Sequence, residues 1–140
     1  MDYFIVEPEV AGELGPGTVF DRTSLTVKVI RLEYQFFGWL GDSIVESTPC
    51  FIVTETLATA IVAAGLTGAE FDEVKVSVSP EGEELIEQPL PRWKWLQLTG
   101  RACQNDLGLS DDSRLVVSER ALVVLRQHEF TDAEVIEVAG

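Results

Sequence analysis

Positive charge is scarce in this chain: 10 Lys and Arg stand against 24 Asp and Glu in 140 residues, a formal net charge of −14. A surface of that sign repels phosphate backbones and anionic lipid, which sets the chain against nucleic-acid and membrane-surface binding. Histidine is scarcer still. His128 stands alone, so no histidine-rich metal site can be built. Two cysteines, Cys50 and Cys103, fall short of a disulfide framework and are expected to be free thiols in a reducing compartment. Met1 to Glu7 lacks the basic start and apolar run of a secretory signal, so no cleaved leader is expected. The longest uncharged stretch, between Glu55 and Glu70, is broken by threonines and glycines and falls short of the ~20 apolar residues that cross a bilayer. Gly12, Gly15 and Gly17 form neither a phosphate cradle nor a dinucleotide fingerprint, and no G-x-S-x-G elbow occurs. These absences point to a cytoplasmic protein with no cofactor and no metal.

What is present is ordinary globular material, 46% apolar and 24% charged, enough to bury a core in one domain over residues 1–140. Within it lies a repeat. Sliding the chain by 64 residues lays Phe51-Ile52-Val53-Thr54-Glu55 on Leu115-Val116-Val117-Ser118-Glu119, and Leu66-Thr67-Gly68-Ala69-Glu70 on Phe130-Thr131-Asp132-Ala133-Glu134. Between Val53 and Val74, seven of 22 positions meet the same residue type: Val53, Glu55, Thr67, Ala69, Glu70, Glu73 and Val74. The reading is one unit used twice, over 50–78 and 114–139.

Each copy reads as strand, helix, strand. A short β-branched run ends in Thr54 or Ser118, a natural N-cap. Apolar residues then recur at three- and four-residue spacing, Leu57, Ala60, Ile61 and Ala64 in one copy and Ala121, Val124 and Leu125 in the other, which lays one helix face against a sheet. Gly65 suits the stop of the first helix. A returning strand follows, from Ala69 through Val74, Val76 and Val78 in the first copy and around Ala133 to Val138 in the second. N-terminal strands are expected over 3–37, including one long bent strand from Leu25 to Phe36 with a bulge near Ile30. Gly12 to Gly17, Pro80 to Pro91 and Asn105 to Ser113 read as loops. The fold class is α+β, a mixed or antiparallel sheet with two short helices from the duplicated unit.

No catalytic residues emerge. Glu55 and Glu119 occupy equivalent places and invite an acid–base reading, but a carboxylate in a first helical turn is explained by the helix dipole. His128 falls at the end of the second helix, where a polar cap suffices. Cys50 opens a buried-looking strand and reads as a small apolar side chain. Asp106 to Asp112 lacks the alternate ligands and terminal Glu of a calcium loop.

A binding surface is what remains. Glu70, Asp72, Glu73, Glu81, Glu83, Glu84 and Glu87 face only Lys75 within their stretch, so it contributes −6 of the −14. Trp39, in a glycine-bracketed turn with Asp42, and Trp93 and Trp95, beside the acidic connection, supply the rigid aromatic area that interface hot spots favour, although core packing also suits the strand pair. Asp106, Asp111 and Asp112 add a second acidic segment. The candidate partner-binding residues are therefore Trp39, Asp42, Glu81, Glu83, Glu84, Glu87, Trp93, Trp95, Asp106, Asp111 and Asp112.

Gly38-Trp39-Leu40-Gly41-Asp42, Pro49 to Glu55, Ala64 to Phe71 and Leu115 to Leu122 together resemble small bacterial immunity proteins of polymorphic toxin systems. The resemblance covers the stretch from Gly38 onward and rests on packing motifs: a strand ending in Val-Ser-Glu-Arg before a helix, and a Leu-Thr-Gly turn before the next strand. Some related groups carry paired Cys-x-x-Cys motifs, which this chain lacks. The resemblance implies a cytoplasmic, non-enzymatic protein that binds and neutralises a cognate toxin. A basic toxin fits the chain's charge. Two alternatives stay open: a small-molecule-binding or enzymatic domain with a pocket between the copies lined by Trp39 and Trp95, and an oligomerising module, such as a homodimer, whose returning strands pair edge to edge.

Overall fold

A computed structural model describes residues 2–23 and 28–138. Leu25, Thr26 and Val27, the expected start of the long bent strand, lie outside the described residues. Six short strands come first: β1 (Tyr3–Glu7), β2 (Glu9–Val10), β3 (Gly12–Leu14), β4 (Val19–Asp21), β5 (Lys28–Arg31) and β6 (Glu33–Phe36). The first copy follows as β7 (Ile44–Ser47), β8 (Cys50–Thr54), α1 (Glu55–Ala63) and β9 (Ala69–Asp72). Then come β10 (Lys75–Val78), α2 (Pro80–Leu85) and β11 (Trp93–Leu98), and the second copy closes the chain with β12 (Leu107–Leu109), β13 (Leu115–Ser118), α3 (Glu119–Arg126) and β14 (Glu134–Glu137). The fold is mixed α+β, as the sequence pattern indicates.

Three layers result. A five-stranded sheet, β2-β7-β8-β11-β9, lies in the middle. All five residues of β8 are buried, because its strand is covered on both faces and therefore carries a continuous apolar run. On one face Ile44, Phe51, Val53 and Leu96 join a core with α1, α3 and the inner face of a four-stranded sheet, β12-β13-β1-β14. On the other face Cys50, Ile52, Trp93 and Trp95 meet Tyr34 and Phe36 of a three-stranded sheet, β10-β6-β3, and Leu32 just before β6.

The two copies match residue for residue. Trp93 stands opposite Thr54 and Leu96 opposite Phe71 in the first; Tyr3 stands opposite Ser118 and Val6 opposite Val135 in the second. The strand that lies between each outgoing and returning strand is thus β11 in one copy and β1 in the other, and both run antiparallel to their neighbours. Thr54 Oγ1 accepts from Leu57 N at 3.2 Å and Ser118 Oγ from Ala121 N at 3.2 Å, so both expected N-caps form. Glu55 N donates to Arg92 O at 2.9 Å, and Glu119 N to Asp2 O at 3.1 Å, in equivalent positions. Gly65, at φ +67°, follows α1 as a left-handed stop.

Several expectations are corrected. Val76 and Val78 do not extend the first returning strand; β9 ends at Asp72 and β10 crosses to the three-stranded sheet, where it runs parallel to β6. The repeated unit is accordingly shorter than 50–78. The expected bent strand is two elements, because the chain leaves the β4–β5 pair at Leu32 and enters another sheet as β6. The duplicated unit supplies the two expected helices, α1 and α3, and among the described residues a third lies between them: Ser79 caps α2 through Gly82 N at 3.0 Å and Pro80 starts it, a strong local signal inside the glutamate-rich connection. Strands β3 and β12 fall within the other two expected loops. The Gly12 to Gly17 glycines serve close packing. A Cβ on Gly17 would lie 2.4 Å from Glu33 Oε1.

Candidate partner-binding surface

Trp93 and Trp95 are only 5% and 6% exposed. Both project from the middle sheet onto the β3-β6-β10 layer, Trp93 against Phe36 with ring centroids 5.3 Å apart. Burial removes them from any partner surface and corrects their assignment there. Trp39 is half-buried, packs edge-on against Trp93 at 5.7 Å, and donates from Nε1 to Asp42 O at 2.9 Å. Its ring closes the end of the aromatic core.

Asp42 and Asp106 are also withdrawn from the surface, at 1% and 9% exposure. Asp42 Oδ1 accepts from Thr131 N at 2.9 Å, and its Oδ2 from Asp132 N at 2.8 Å. Asp106 Oδ2 accepts from Thr67 N at 2.9 Å, and its Oδ1 from Ser118 Oγ at 2.7 Å. Thr67 and Thr131 are 64 residues apart, as are Asp42 and Asp106. Each copy therefore sends a carboxylate to the threonine turn of the other, and these residues join the halves. Arg120 adds to one of the two joints only. Its guanidinium donates to Asp106 at 2.8 Å and to the Ala64 and Gly65 carbonyls at 3.2 and 2.9 Å, closing the C-terminus of α1. Arg120, and next the Thr67 and Ser118 donors, hold the Asp106 carboxyl well below the usual carboxylate range despite its burial.

The other buried carboxylate, Glu33, accepts from Gly17 N at 2.8 Å and Ser77 Oγ at 2.7 Å, with Lys75 Nζ at 3.7 Å. The Ser77 hydroxyl holds its carboxyl below the ordinary value. Glu33 thus ties the glycine loop to the β6–β10 pair. Glu55 and Glu119 are exposed at their helix starts. Trp39 and Trp95 do not share a pocket: Trp95 lines a depression with Cys50 and Gln97, while Trp39 lines another with His128 and Thr56. That corrects the expected lining: the depression between the copies holds Trp39 and not Trp95. Among the described residues, no group of three or more His, Cys, Asp or Glu is arranged to hold a metal ion.

The remaining acids are on the outside. Asp111 and Asp112 are exposed, with Asp112 bonded to Ser110 and 3.2 Å from Arg114. Glu81, Glu83, Glu84 and Glu87 project from α2 and the residues after it, and all four are exposed. Gly82 explains their direction: it is buried where a Cβ would come within 2.7 Å of Phe36 O, so α2 presses that side to the core and turns its acids to water. Leu85, 66% exposed, stands among them. Glu70, Asp72 and Glu73 are exposed on and just after β9, the edge strand of the middle sheet. Of these seven acids, Glu73 has an ion-pair partner, Lys94 at 2.6 Å, and no other pair among the described residues involves them. The sequence showed the charge; the exposed Leu85 in its midst had no signal, because nothing local distinguishes a surface leucine from a core one.

Both returning strands, β9 and β14, are sheet edges. Each carries acids, Glu70 and Asp72 on one and Glu134 and Glu137 on the other, so pairing either with its own copy would set carboxylates against carboxylates. No helix among the described residues is long and apolar enough to cross a membrane. No family model matches the chain, and no curated protein matches it.

Proposed function

We propose that this chain is a non-enzymatic, cytoplasmic immunity-type protein that binds and neutralises a cognate basic toxin through its acidic surface. One observation carries the reading: seven acids between Glu70 and Glu87 are all exposed, and among the described residues only Glu73 of the seven is neutralised by an ion pair. Unpaired like charges at an edge repel one another at a cost in stability, and a basic partner relieves that repulsion on contact. Leu85 gives the patch an apolar centre rimmed by carboxylates, the arrangement of an interface hot spot with its polar border. Toxin domains that cleave nucleic acids hold phosphate in basic clefts, and an acidic face is steered to such a cleft and blocks it.

The test is direct. The chain is mixed with the products of the genes flanking its own, and binding is followed by calorimetry across salt concentration. A stable complex that weakens as salt rises supports the reading, and Glu83→Lys with Glu84→Lys is expected to weaken it by about tenfold or more. Absence of any complex at low salt with either neighbour's product overturns it.

A further inference from the structure

The face of α1 that turns to water is unusual for so acidic a chain. Thr59, Val62 and Ala63 are exposed there, Val62 at 66%, and with Ala58, Phe71 and Lys94 they line an open groove of about 390 Å³ between α1 and β9. The second copy shows that the fold does not require this. At the positions equivalent to Ala58, Val62, Ala63 and Lys94 it carries Leu122, Arg126, Gln127 and Phe4, so bulk and polarity are accepted at the same places. There Leu122 is buried and Phe4 packs against the core. The first copy keeps small apolar side chains on the helix and substitutes a lysine for the aromatic.

The groove's rim is acidic. Glu55 lines one end, and Glu73, bonded to Lys94, stands just past β9; Glu70 and Asp72 alternate with Phe71 and stand opposite Gln97 and Trp95, on the sheet's other face. Lys94 is the one cation lining it, and Glu73 already holds its Nζ at 2.6 Å. A second copy of this chain would bring further acids to that rim, whereas a cationic segment is complementary to it.

We propose that this groove seats a bulky apolar side chain of a polypeptide segment whose flanking residues are Lys or Arg, the flanking cations meeting Glu55 and Glu73. The inference rests on the reading of the chain as a binder of a basic protein and adds where the partner's apolar anchor sits.

The probe is a synthetic peptide with one tryptophan between lysines, titrated into the full chain and followed by amide shifts in NMR spectra. Shifts are expected to concentrate on residues 58–63, Phe71 and Lys94. Val62→Arg with Ala58→Leu, which copies the second repeat, is expected to weaken binding about tenfold; Ala63→Gln, at an exposed site, serves if that pair lowers the fold's stability. Shifts confined to α2, unchanged affinity in the groove variants, or equal binding of a glutamate-flanked peptide would each overturn the proposal. So would a dimer that the same variants dissociate in sedimentation, since the occupant would then be a second copy. Peptide binding that survives Glu83→Lys with Glu84→Lys, while the neighbour complex never forms, would sink the toxin reading and leave the groove standing.

Discussion

The two copies share registers, N-caps and strand order, yet their outer faces differ. In the first, Ile52, Trp93 and Trp95 are roofed by the β3-β6-β10 sheet. In the second, Val116, at the place of Ile52, is buried, but Tyr3 and Ile5, at the places of the tryptophans, are half-buried and Ile136 is 38% exposed. What is common to both is what the unit needs in order to fold: a capped helix start, an outgoing and a returning strand around a third, and a carboxylate given to the partner turn. What differs is open to other uses. The roof, α2 and the α1 groove all belong to the first copy's side, and so does most of the acid between Glu70 and Glu87.

The reciprocal carboxylates give the largest expected effect and the sharpest test of that equivalence. Asp106→Ala leaves Thr67 N–H, the Ser118 hydroxyl and Arg120 without their acceptor, and it is expected to cost about 3 kcal/mol of unfolding free energy in urea titrations. Asp42→Ala leaves the Thr131 and Asp132 N–H donors without their acceptor and strands no cation, and about 2 kcal/mol is expected. Because the Asp106 carboxyl lies below its unfolded value, its contribution is complete above the ordinary carboxylate range and is lost as pH falls through and below it. Asp106→Asn should therefore flatten the acid limb of stability against pH. Equal costs at the two aspartates would show that Arg120 adds nothing and that the joints are symmetric after all.

Much of this was legible in the sequence, because the signals are local. Thr54 and Ser118 announce helix starts, the spacing of Leu57 and Ile61 marks a buried face, and the identity of Thr67 with Thr131 marks a shared turn. The strand that completes each copy was not legible. Tyr3 and Trp93 fill the same place in the ladder but are 90 positions apart, so a slide of 64 cannot align them. Asp42 and Asp106 do obey the 64-residue offset, and extending the slide upstream of Cys50 finds them; their partners lie in the opposite copy, which no pattern within one copy reveals. The tryptophans illustrate a different limit. Alternation puts Trp93 and Trp95 on one face, and whether that face is roofed depends on β6, a strand more than 50 residues earlier.

A smaller effect is expected at the caps. Thr54→Ala removes one acceptor from a first helical turn, worth about 1 kcal/mol in thermal or urea unfolding. Ser118 accepts from Ala121 N in the same way and also donates to Asp106 at 2.7 Å. Ser118→Ala should cost more, about 2 kcal/mol. In the Asp106→Ala background the excess should vanish, since the bond that produces it is already gone. An excess that persists would place the asymmetry in packing around a side chain with no solvent exposure.

The smallest perturbation tests the roof itself. Cys50 and Arg114 are 64 residues apart: the thiol is buried beneath the three-stranded sheet, while the guanidinium stands in the open, 3.5 Å from Glu7. Burial pushes the Cys50 thiol up to about 11, so almost none of it is thiolate at neutral pH. Cys103 is exposed. Titration with a thiol reagent is expected to label one cysteine per folded chain, Cys103, and to reach Cys50 only on unfolding. Arg114→Ala should shift stability by less than about 0.5 kcal/mol, as expected for an ion pair in contact with solvent. Rapid labelling of Cys50 in the folded chain would mean that the β3-β6-β10 layer opens readily, in which case the first copy presents a partly open face like the second's and the difference between them lies in the helices alone.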